Sequence, residues 1–287
     1  MADSPATADT LGALVQAYVG EQCAVILDAR FALASRDESL VHPARVAIRR
    51  LRATLRTFGG VYDADHGASF AKELRWAGLL LGDVRDLQVL AERYTEDAGS
   101  TDQAAKRVIA DEIQRDRIDA WDAVTAGLSS VRGAALYAVI ARWRDDPPFD
   151  DKGAAPADRA EKKVDKADAR WRARLDRAHA ASADDDAEAG ELLHDARKAA
   201  KRHRYAVELA APVLGPHADE TIDKSKELQD ALGAHQDAVV ALAFLKEIDV
   251  PSKDPKAASA LAELIARTTE TADDVASALN EAERIRG

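Results

Sequence analysis

Apolar residues in this 287-residue chain recur at intervals of three and four positions along almost its whole length, and no convincing stretch alternates apolar with polar residues. This spacing gives a helix one apolar face, whereas a half-buried strand requires alternation. The breaks between periodic segments predict helices over residues 8–36, 40–59, 66–97, 102–128, 130–145, 157–181, 187–214, 217–249 and 255–286. The chain is therefore predicted to be all-α.

The clearest interruption of the helical pattern is "DDPPFDDKGAAP", residues 145–156, which combines prolines, a glycine and acids. Such a composition is typical of a connection between helical units. We interpret residues 1–287 as one domain that consists of a first repeat over 1–146, a linker over 147–156 and a second repeat over 157–287.

Two sequence motifs occur on both sides of this linker. "HPARVAIRRLRATLR", which begins at His42, aligns with "HDARKAAKRHRYAVE", which begins at His194, at an offset of 152 residues. "LGDVRD" at 81–86 aligns with "LGAHQD" at 232–237 at an offset of 151. Two ordered matches at nearly the same offset indicate a tandem duplication of a helical bundle.

The first of these motifs is strongly basic, although the whole chain has a formal net charge of -11. Residues 41–56 hold five arginines, one histidine and no acid. At 100° per residue, five of these side chains fall within about 80° of the helix circumference. They form what we call the first stripe: His42, Arg45, Arg49, Arg52 and Arg56. The opposite side is apolar, with Ala44, Ala47, Ile48, Leu51, Leu55 and Phe58.

The second motif repeats this arrangement in what we call the second stripe: His194, Arg197, Lys201 and Arg204 over Ala196, Ala199, Ala200 and Val207. Glu208 stands where the first stripe has Arg56, so that end of the second stripe is weaker. Stacked like charges destabilise a helix unless counter-charge arrives. The counter-charge comes either from an acid on a neighbouring helix or from a bound anion. Arginine is well suited to bind the oxygens of a phosphate.

Other residues are candidates to extend or support the stripes. Lys72 and Arg75 share one face of the third helix, and Arg75 aligns with Lys226. We expect Asp86 and Asp237, which follow the two LG pairs, to orient arginines across the bundle.

The histidines and the cysteine have separate interpretations. His42 and His194 begin the stripes and are expected to contact an anion; a metal is disfavoured by the surrounding arginines. His203 aligns with Leu51 and is expected in the core, and whether His235 lines a site is left open. The single cysteine, Cys23, excludes an internal disulfide and is expected to be buried.

Several function classes are not favoured by the sequence. No segment approaches 18 apolar residues, so no membrane contact is predicted, and "MADSPATADT" lacks a signal-peptide pattern, so the default expectation is the cytoplasm. The acidic total argues against nucleic acid as a partner. No Walker loop, nucleophile elbow or metal-ligand helix is found, so we predict no catalytic residue, no metal and no cofactor.

At these motifs the sequence resembles the CHAD family, the conserved histidine α-helical domain. The resemblance rests on "HPARVAIRRLRATLR", "LLGDVRD", "LHDARKAAKRHRY" and "LGAHQD" and covers essentially the whole chain. It implies two helical bundles related by a pseudo-twofold axis, with the stripes facing a central cavity. It also implies that the protein binds inorganic polyphosphate and associates with polyphosphate granules in bacteria.

The resemblance implies binding roles for His42, Arg45, Arg49, Arg50, Arg52, Arg56, His194, Arg197, Lys201, Arg202 and Arg204. The cationic face of the third helix and its counterpart in the second repeat add Lys72, Arg75 and Lys226 as candidate binding residues. Two departures from the family pattern are His203 and Glu208, and the second suggests an asymmetric groove.

Two other functions remain open as alternatives to this binding module. One is a phosphohydrolase or phosphotransferase that acts on polyphosphate, and the other is a helical nucleic-acid binder. Some members of the family are joined to a metalloenzyme domain with an ExExK signature, which this sequence lacks. Phosphoanhydride hydrolysis ordinarily uses clustered carboxylates with a divalent metal, which the stripes do not contain.

Overall fold

The computed structural model describes residues 8–96, 102–182, 186–250 and 254–286, and these residues form an all-α protein without a sheet. The α-helices are α1 Leu11–Asp28, α2 Arg30–Ala34, α3 Val41–Phe58, α4 Ala64–Ala91, α5 Gln103–Leu128, α6 Val131–Asp145, α7 Arg159–Ala181, α8 Asp186–Leu214, α9 His217–Glu247, α10 Pro255–Asp273 and α11 Val275–Arg286. The prediction of an all-α chain is confirmed.

Short polar residues begin many of these helices by accepting a hydrogen bond from a free backbone N–H group of the first turn. The Thr10 side chain accepts from the Ala13 amide at the start of α1, and Asp63 accepts from the His66 amide at the start of α4. Ser130 and Asp254 begin α6 and α10 in the same way.

Two predicted helices are each divided in the structure. The segment 8–36 breaks at Ala29, which keeps near-helical dihedral angles, so α1 and α2 are separated only by a local irregularity. The segment 255–286 breaks at Asp274, whose ψ of 63° leaves the helical region. The Asp274 carboxylate accepts a hydrogen bond from the Ser277 amide at 3.0 Å, so a new helix, α11, begins there.

The helix predicted over 66–97 also differs at both ends. Its α-helical part, α4, begins at Ala64 and ends at Ala91, and one π-helical turn, Glu92–Glu96, follows. Residue 97 lies outside the described residues.

The linker is fixed to the first repeat by backbone hydrogen bonds. The Leu11 amide donates to the Ala155 carbonyl at 2.7 Å, and the Asp63 amide donates to the Pro148 carbonyl at 2.9 Å. The Phe149 ring stacks on the Tyr62 ring with centroids 5.3 Å apart. The segment 147–156 is therefore an ordered strap across the start of α1 and the turn before α4.

The predicted apolar faces of α3 and α8 are buried. In α3, Ala44, Ala47, Ile48, Leu51 and Phe58 are buried, and Leu55 packs against the same core. In α8, Ala196, Ala199, Ala200 and Val207 are buried. The basic residues therefore lie on the sides of these helices that the core leaves free. Cys23 is also buried, as predicted, and burial raises its pKa to about 12.

The hydrophobic core is continuous across the linker. The largest cluster contains residues of α1, α3 and α4 together with Val164 of α7 and Val207 of α8. A second cluster joins Leu87 of α4 and Ile109 of α5 to Leu245 of α9 and Leu261 of α10. The helix α3 packs against both α4 and α8.

Within the described ranges, no single helix is long and apolar enough to cross a membrane. The consecutive helices α5 and α6, which are bent by 66°, pass such a test together by length and composition only.

Candidate functional site

The basic faces of α3 and α8 lie side by side. The Arg50 Nε atom of α3 donates a hydrogen bond to the Glu208 carboxylate of α8 at 2.9 Å. Burial lowers the pKa of Arg197, and the nearby charge of Arg49 lowers it further. The structure thus brings the first stripe into electrostatic contact with the second.

Arg45 is held by α4 at one edge of this basic surface. Its Nη1 atom donates to the Gly82 carbonyl at 2.7 Å and to the Asp86 carboxylate at 2.9 Å. The prediction that Asp86 orients an arginine is confirmed by this contact. These two contacts hold the Arg45 side chain in place, and both are made by its Nη1 atom.

Arg197 occupies a matching position against α9. Its guanidinium lies 3.8 Å from the place where a Cβ atom on Gly233 would stand, and the Arg45 guanidinium lies 3.7 Å from the equivalent place on Gly82. The Asp237 charge opposes the lowering of the Arg197 pKa, although no hydrogen bond joins the two side chains in the described residues.

Glu208 neutralises two of the predicted binding residues. It accepts hydrogen bonds from the Arg50 guanidinium and the Tyr18 hydroxyl, each at 2.9 Å, and lies 3.4 Å from the Arg204 Nε atom. The Arg204 guanidinium also lies over the Tyr205 ring, 5.0 Å from its centroid. For Arg50 and Arg204, counter-charge therefore comes from the protein itself.

Other cations of the two motifs have no such partner. Over the described ranges, none of Arg49, Arg52, Arg56, Lys201 and Arg202 forms an ion pair with an acid. The Nε atoms of Arg49 and Arg197 are buried and make no hydrogen bond in the same ranges. The positive charge of these guanidinium groups is therefore not neutralised by a hydrogen-bonded acid in the described residues.

Lys201 has a lowered pKa because it is buried beside other cations. Burial, followed by the charges of Arg197, Arg49 and Arg204, lowers its pKa to about 7. Near neutral pH the ammonium is therefore only partly protonated in the free protein. A bound polyanion would reverse this shift, because an opposite charge favours the protonated form.

The two motif histidines each lie beside cations of their own part of the chain. Burial and the charges of Arg85, Arg49 and Arg45 lower the pKa of His42. Burial and the charge of Lys198 lower the pKa of His194, which Gln236 opposes by a hydrogen bond. The described residues include no group of three or more His, Cys, Asp or Glu side chains placed to hold a metal ion.

The remaining sequence candidates differ in where they lie. Burial lowers the pKa of Arg52, and the nearby charge of Arg75 lowers it further. Lys72 is exposed on α4. Lys226 is exposed as well, and its ammonium pairs with Asp223 of its own helix at 2.8 Å. Only Arg75 of this group is therefore connected to the stripes by a described interaction.

His203 and His235 lie in different surroundings. His203 is 5% exposed and packs against Trp171, so its predicted core position is confirmed. His235 lines a cavity of about 810 Å³ in the second repeat together with His194. Acids as well as cations line that cavity, among them Glu191 and Asp273, so it has mixed charge.

Sequence reasoning missed three arginines near the basic surface. Arg85 of α4 lies close to His42, and Arg170 and Arg174 of α7 line a cavity of about 280 Å³ with Arg56 and Arg202. The signal for the α7 pair was their spacing of four residues, which places both on one face of a helix. That signal is weak because α7 carries many charges of both signs.

The chain matches a known protein family over most of its length. The sequence pattern of the CHAD domain matches residues 17–246. The chain belongs to the CHAD domain family. The matched segment contains α3, α4, α8 and most of α9, so the basic surface falls inside the matched part of this CHAD protein.

Similar curated proteins occur in Mycobacterium tuberculosis. The uncharacterized proteins MT2285 of strain CDC 1551 / Oshkosh and Rv2226 of strain ATCC 25618 / H37Rv are each 27% identical over 213 residues. The match covers 70% of this chain and 39% of each relative, so the chain spans well under half the length of these proteins.

Two solved structures share the fold. PptA from Streptomyces chartreusis has a TM-score of 0.75 and 22% identity, and the match covers 96% of this chain and 100% of that one. The CHAD domain from the plant Ricinus communis has a TM-score of 0.72 and 22% identity, with 99% of this chain and 95% of that one covered.

Proposed function

We propose that this CHAD domain binds inorganic polyphosphate through the adjoining basic faces of α3 and α8. The observation that carries the proposal is the convergence of Arg49 with Arg197 and Lys201, none of which forms an ion pair with an acid among the described residues, although Asp237 lies close enough to oppose part of the pKa shifts of Arg197 and Lys201. A chain of phosphates is an extended polyanion that supplies one negative charge after another along such a surface. Arginine is also well matched to phosphate oxygens.

The two stripes form one binding surface in this proposal, produced by duplication of a helical bundle about a pseudo-twofold axis. The Arg45–Gly82 and Arg197–Gly233 contacts support it, because they repeat one geometry in both repeats. The burial pattern supports it too. Val15, Val19, Cys23 and Ile26 of α1 are buried, and so are the residues 152 positions later, Ala167, Trp171, Leu175 and Ala178 of α7.

The rest of the molecule favours a localised site. Because the chain carries a net charge of -11, most of its surface repels anions and the basic surface is the place where they are attracted. By the same chemistry we expect the protein to associate with cytoplasmic polyphosphate granules. Binding requires no metal or cofactor in this proposal.

A salt titration tests the proposal. Affinity for long-chain polyphosphate, measured by calorimetry, is expected to fall steeply as salt rises, since each phosphate contact releases condensed counterions. Competition with double-stranded DNA of equal charge concentration distinguishes the nucleic-acid alternative, and we expect DNA to displace little polyphosphate. Affinity that is independent of salt, or preferential binding of DNA, would contradict the proposal. Release of phosphate in the presence of Mg²⁺ or Mn²⁺ would instead indicate the enzymatic alternative.

A further inference from the structure

A cavity of about 280 Å³ lies where α3, α7 and α8 meet. Four arginines line it, accompanied by Thr57, Ala167 and Ala199: Arg56, Arg170, Arg174 and Arg202. No acid is among the lining residues. Asp195 lies close enough to favour the charge of Arg202, but its carboxylate pairs with Lys198 at 3.3 Å. Four cations thus face one small space without a carboxylate in it.

At the other end of the α3–α8 interface, a carboxylate lies in the corresponding space. There, Tyr18, Arg50 and Arg204 surround the Glu208 carboxylate. A shift of 152 residues, the offset of the sequence repeat, replaces Tyr18 by Arg170 and Arg50 by Arg202. The same shift relates Arg52 to Arg204 and Arg56 to Glu208. Arg56 therefore stands at this end of the interface where the Glu208 carboxylate stands at the other end.

Because a cation takes the place of the anion, the cluster of four arginines around the cavity has positive charge that no carboxylate in the cavity compensates. Burial, then Arg56 and Arg174, lowers the pKa of Arg202 to about 10, even though Asp195 opposes the shift. Arg174 is held in place because its Nη1 atom donates to the Arg170 carbonyl at 3.2 Å. One of the four guanidinium groups is therefore held in place before an anion arrives, and an anion that enters relieves the mutual repulsion of all four.

We propose that this cavity is a subsite for a short condensed phosphate, with free pyrophosphate as its simplest ligand. The proposal rests on the proposed function and adds a discrete position to it. At about 30 Å³ per water, the cavity holds roughly nine water molecules, which is room for one or two phosphate groups. Phosphate oxygens take the place that the Glu208 carboxylate has at the other end, and arginines bind them in pairs of hydrogen bonds.

Calorimetric titration with pyrophosphate tests the subsite. The wild-type chain is expected to bind one pyrophosphate, and Arg56→Glu is expected to weaken this binding at least tenfold because it supplies the carboxylate internally. The double variant R170Q/R174Q changes only α7 and is expected to weaken pyrophosphate binding to a similar extent. Arg107→Glu reverses a charge at an exposed site on α5 and serves as the control, with affinity within about twofold of the wild type.

The outcomes separate the subsite from the proposed function. If long-chain polyphosphate binds but pyrophosphate does not, the subsite is wrong and the function stands; if neither binds, both are wrong. Pyrophosphate affinity that is unchanged in both Arg56→Glu and R170Q/R174Q would place the anion elsewhere and overturn the subsite. Arg56→Glu is also expected to raise the thermal midpoint of the free protein in low salt, and a lower midpoint would contradict the correspondence with Glu208.

Discussion

Glu208 is a single carboxylate with three partners at the contact between α3 and α8. The sequence predicted only that it weakens one end of the second stripe. In the structure it binds Arg50 from the first repeat, Arg204 from its own helix and the Tyr18 hydroxyl of α1. Its side chain is 13% exposed, so the carboxylate is largely removed from water. Glu208 thus joins α1, α3 and α8 at one point.

Replacement of Glu208 by glutamine is expected to lower the free energy of unfolding by about 2–3 kcal/mol. The reason is that Arg50 and Arg204 then remain half-buried without counter-charge. Denaturant unfolding measures the effect. Glu220→Gln is the matched control, because Glu220 forms an exposed ion pair with Lys224 within α9 and its loss is expected to cost less than about 1 kcal/mol. Equal effects of the two changes would contradict this account of Glu208.

Lys201 is expected to take up a proton when polyphosphate binds. Its pKa of about 7 in the free protein leaves it mostly neutral at pH 8, and a polyanion beside it raises the pKa again. Calorimetry at pH 8 in buffers of different ionisation enthalpy is expected to show uptake of nearly one proton per bound site. The same linkage makes binding tighten as the pH falls from 8 toward 6.

Two variants identify the residue that takes up this proton. Lys201→Arg is expected to abolish the uptake, because arginine is charged throughout this pH range. The double variant H42Q/H194Q is expected to retain it, because burial and neighbouring cations lower the pKa of both histidines and they stay neutral near pH 8. Loss of the uptake in H42Q/H194Q and its persistence in Lys201→Arg would assign the proton to the histidines instead.

At the scale of the element, the sequence determined the helices and their faces better than their partners. The period of apolar residues identified the buried sides of α3 and α8, because burial of a helix face depends mainly on its own pattern. The Arg50–Glu208 ion pair depends on which helix lies beside α3, and that information is not local. Arg170 went unnoticed for the same reason, since its neighbour Arg56 is more than 100 positions away in the chain.

The break between α10 and α11 shows another limit of periodicity. Apolar positions continue across residue 274, so the pattern predicts one helix over 255–286. The Asp274 side chain competes by binding the Ser277 amide, which begins α11. A single capping residue therefore outweighs a pattern that is compatible with either arrangement.

Replacement of Asp274 by alanine is expected to lower the free energy of unfolding by about 1 kcal/mol, the usual cost of a lost N-terminal cap. Asp273→Ala is the control, because Asp273 is the last residue of α10 and caps no helix among the described elements. Thermal or denaturant unfolding measures both. A smaller effect for Asp274→Ala than for Asp273→Ala would contradict the capping role.

At the scale of the whole molecule, a shared core packs together the helices that carry the two basic faces. Hydrophobic residues from both sides of the segment 147–156 lie in the same clusters, and that segment is hydrogen-bonded to the start of α1 and the turn before α4. The distance between the stripes is therefore fixed by packing rather than by a ligand. A long polyanion that contacts one stripe meets the other at high effective concentration.

The measurement that tests this most directly is the affinity for long-chain polyphosphate of Arg49→Glu and Lys201→Glu at constant salt. Arg49 belongs to α3 and Lys201 to α8, and each change replaces a cation on the shared surface by an anion. We predict that each variant alone binds at least tenfold more weakly, which corresponds to about 1.4 kcal/mol, while Arg107→Glu stays close to the wild type. Unchanged affinity in either stripe variant would contradict the claim that one polyphosphate chain is held by both helices.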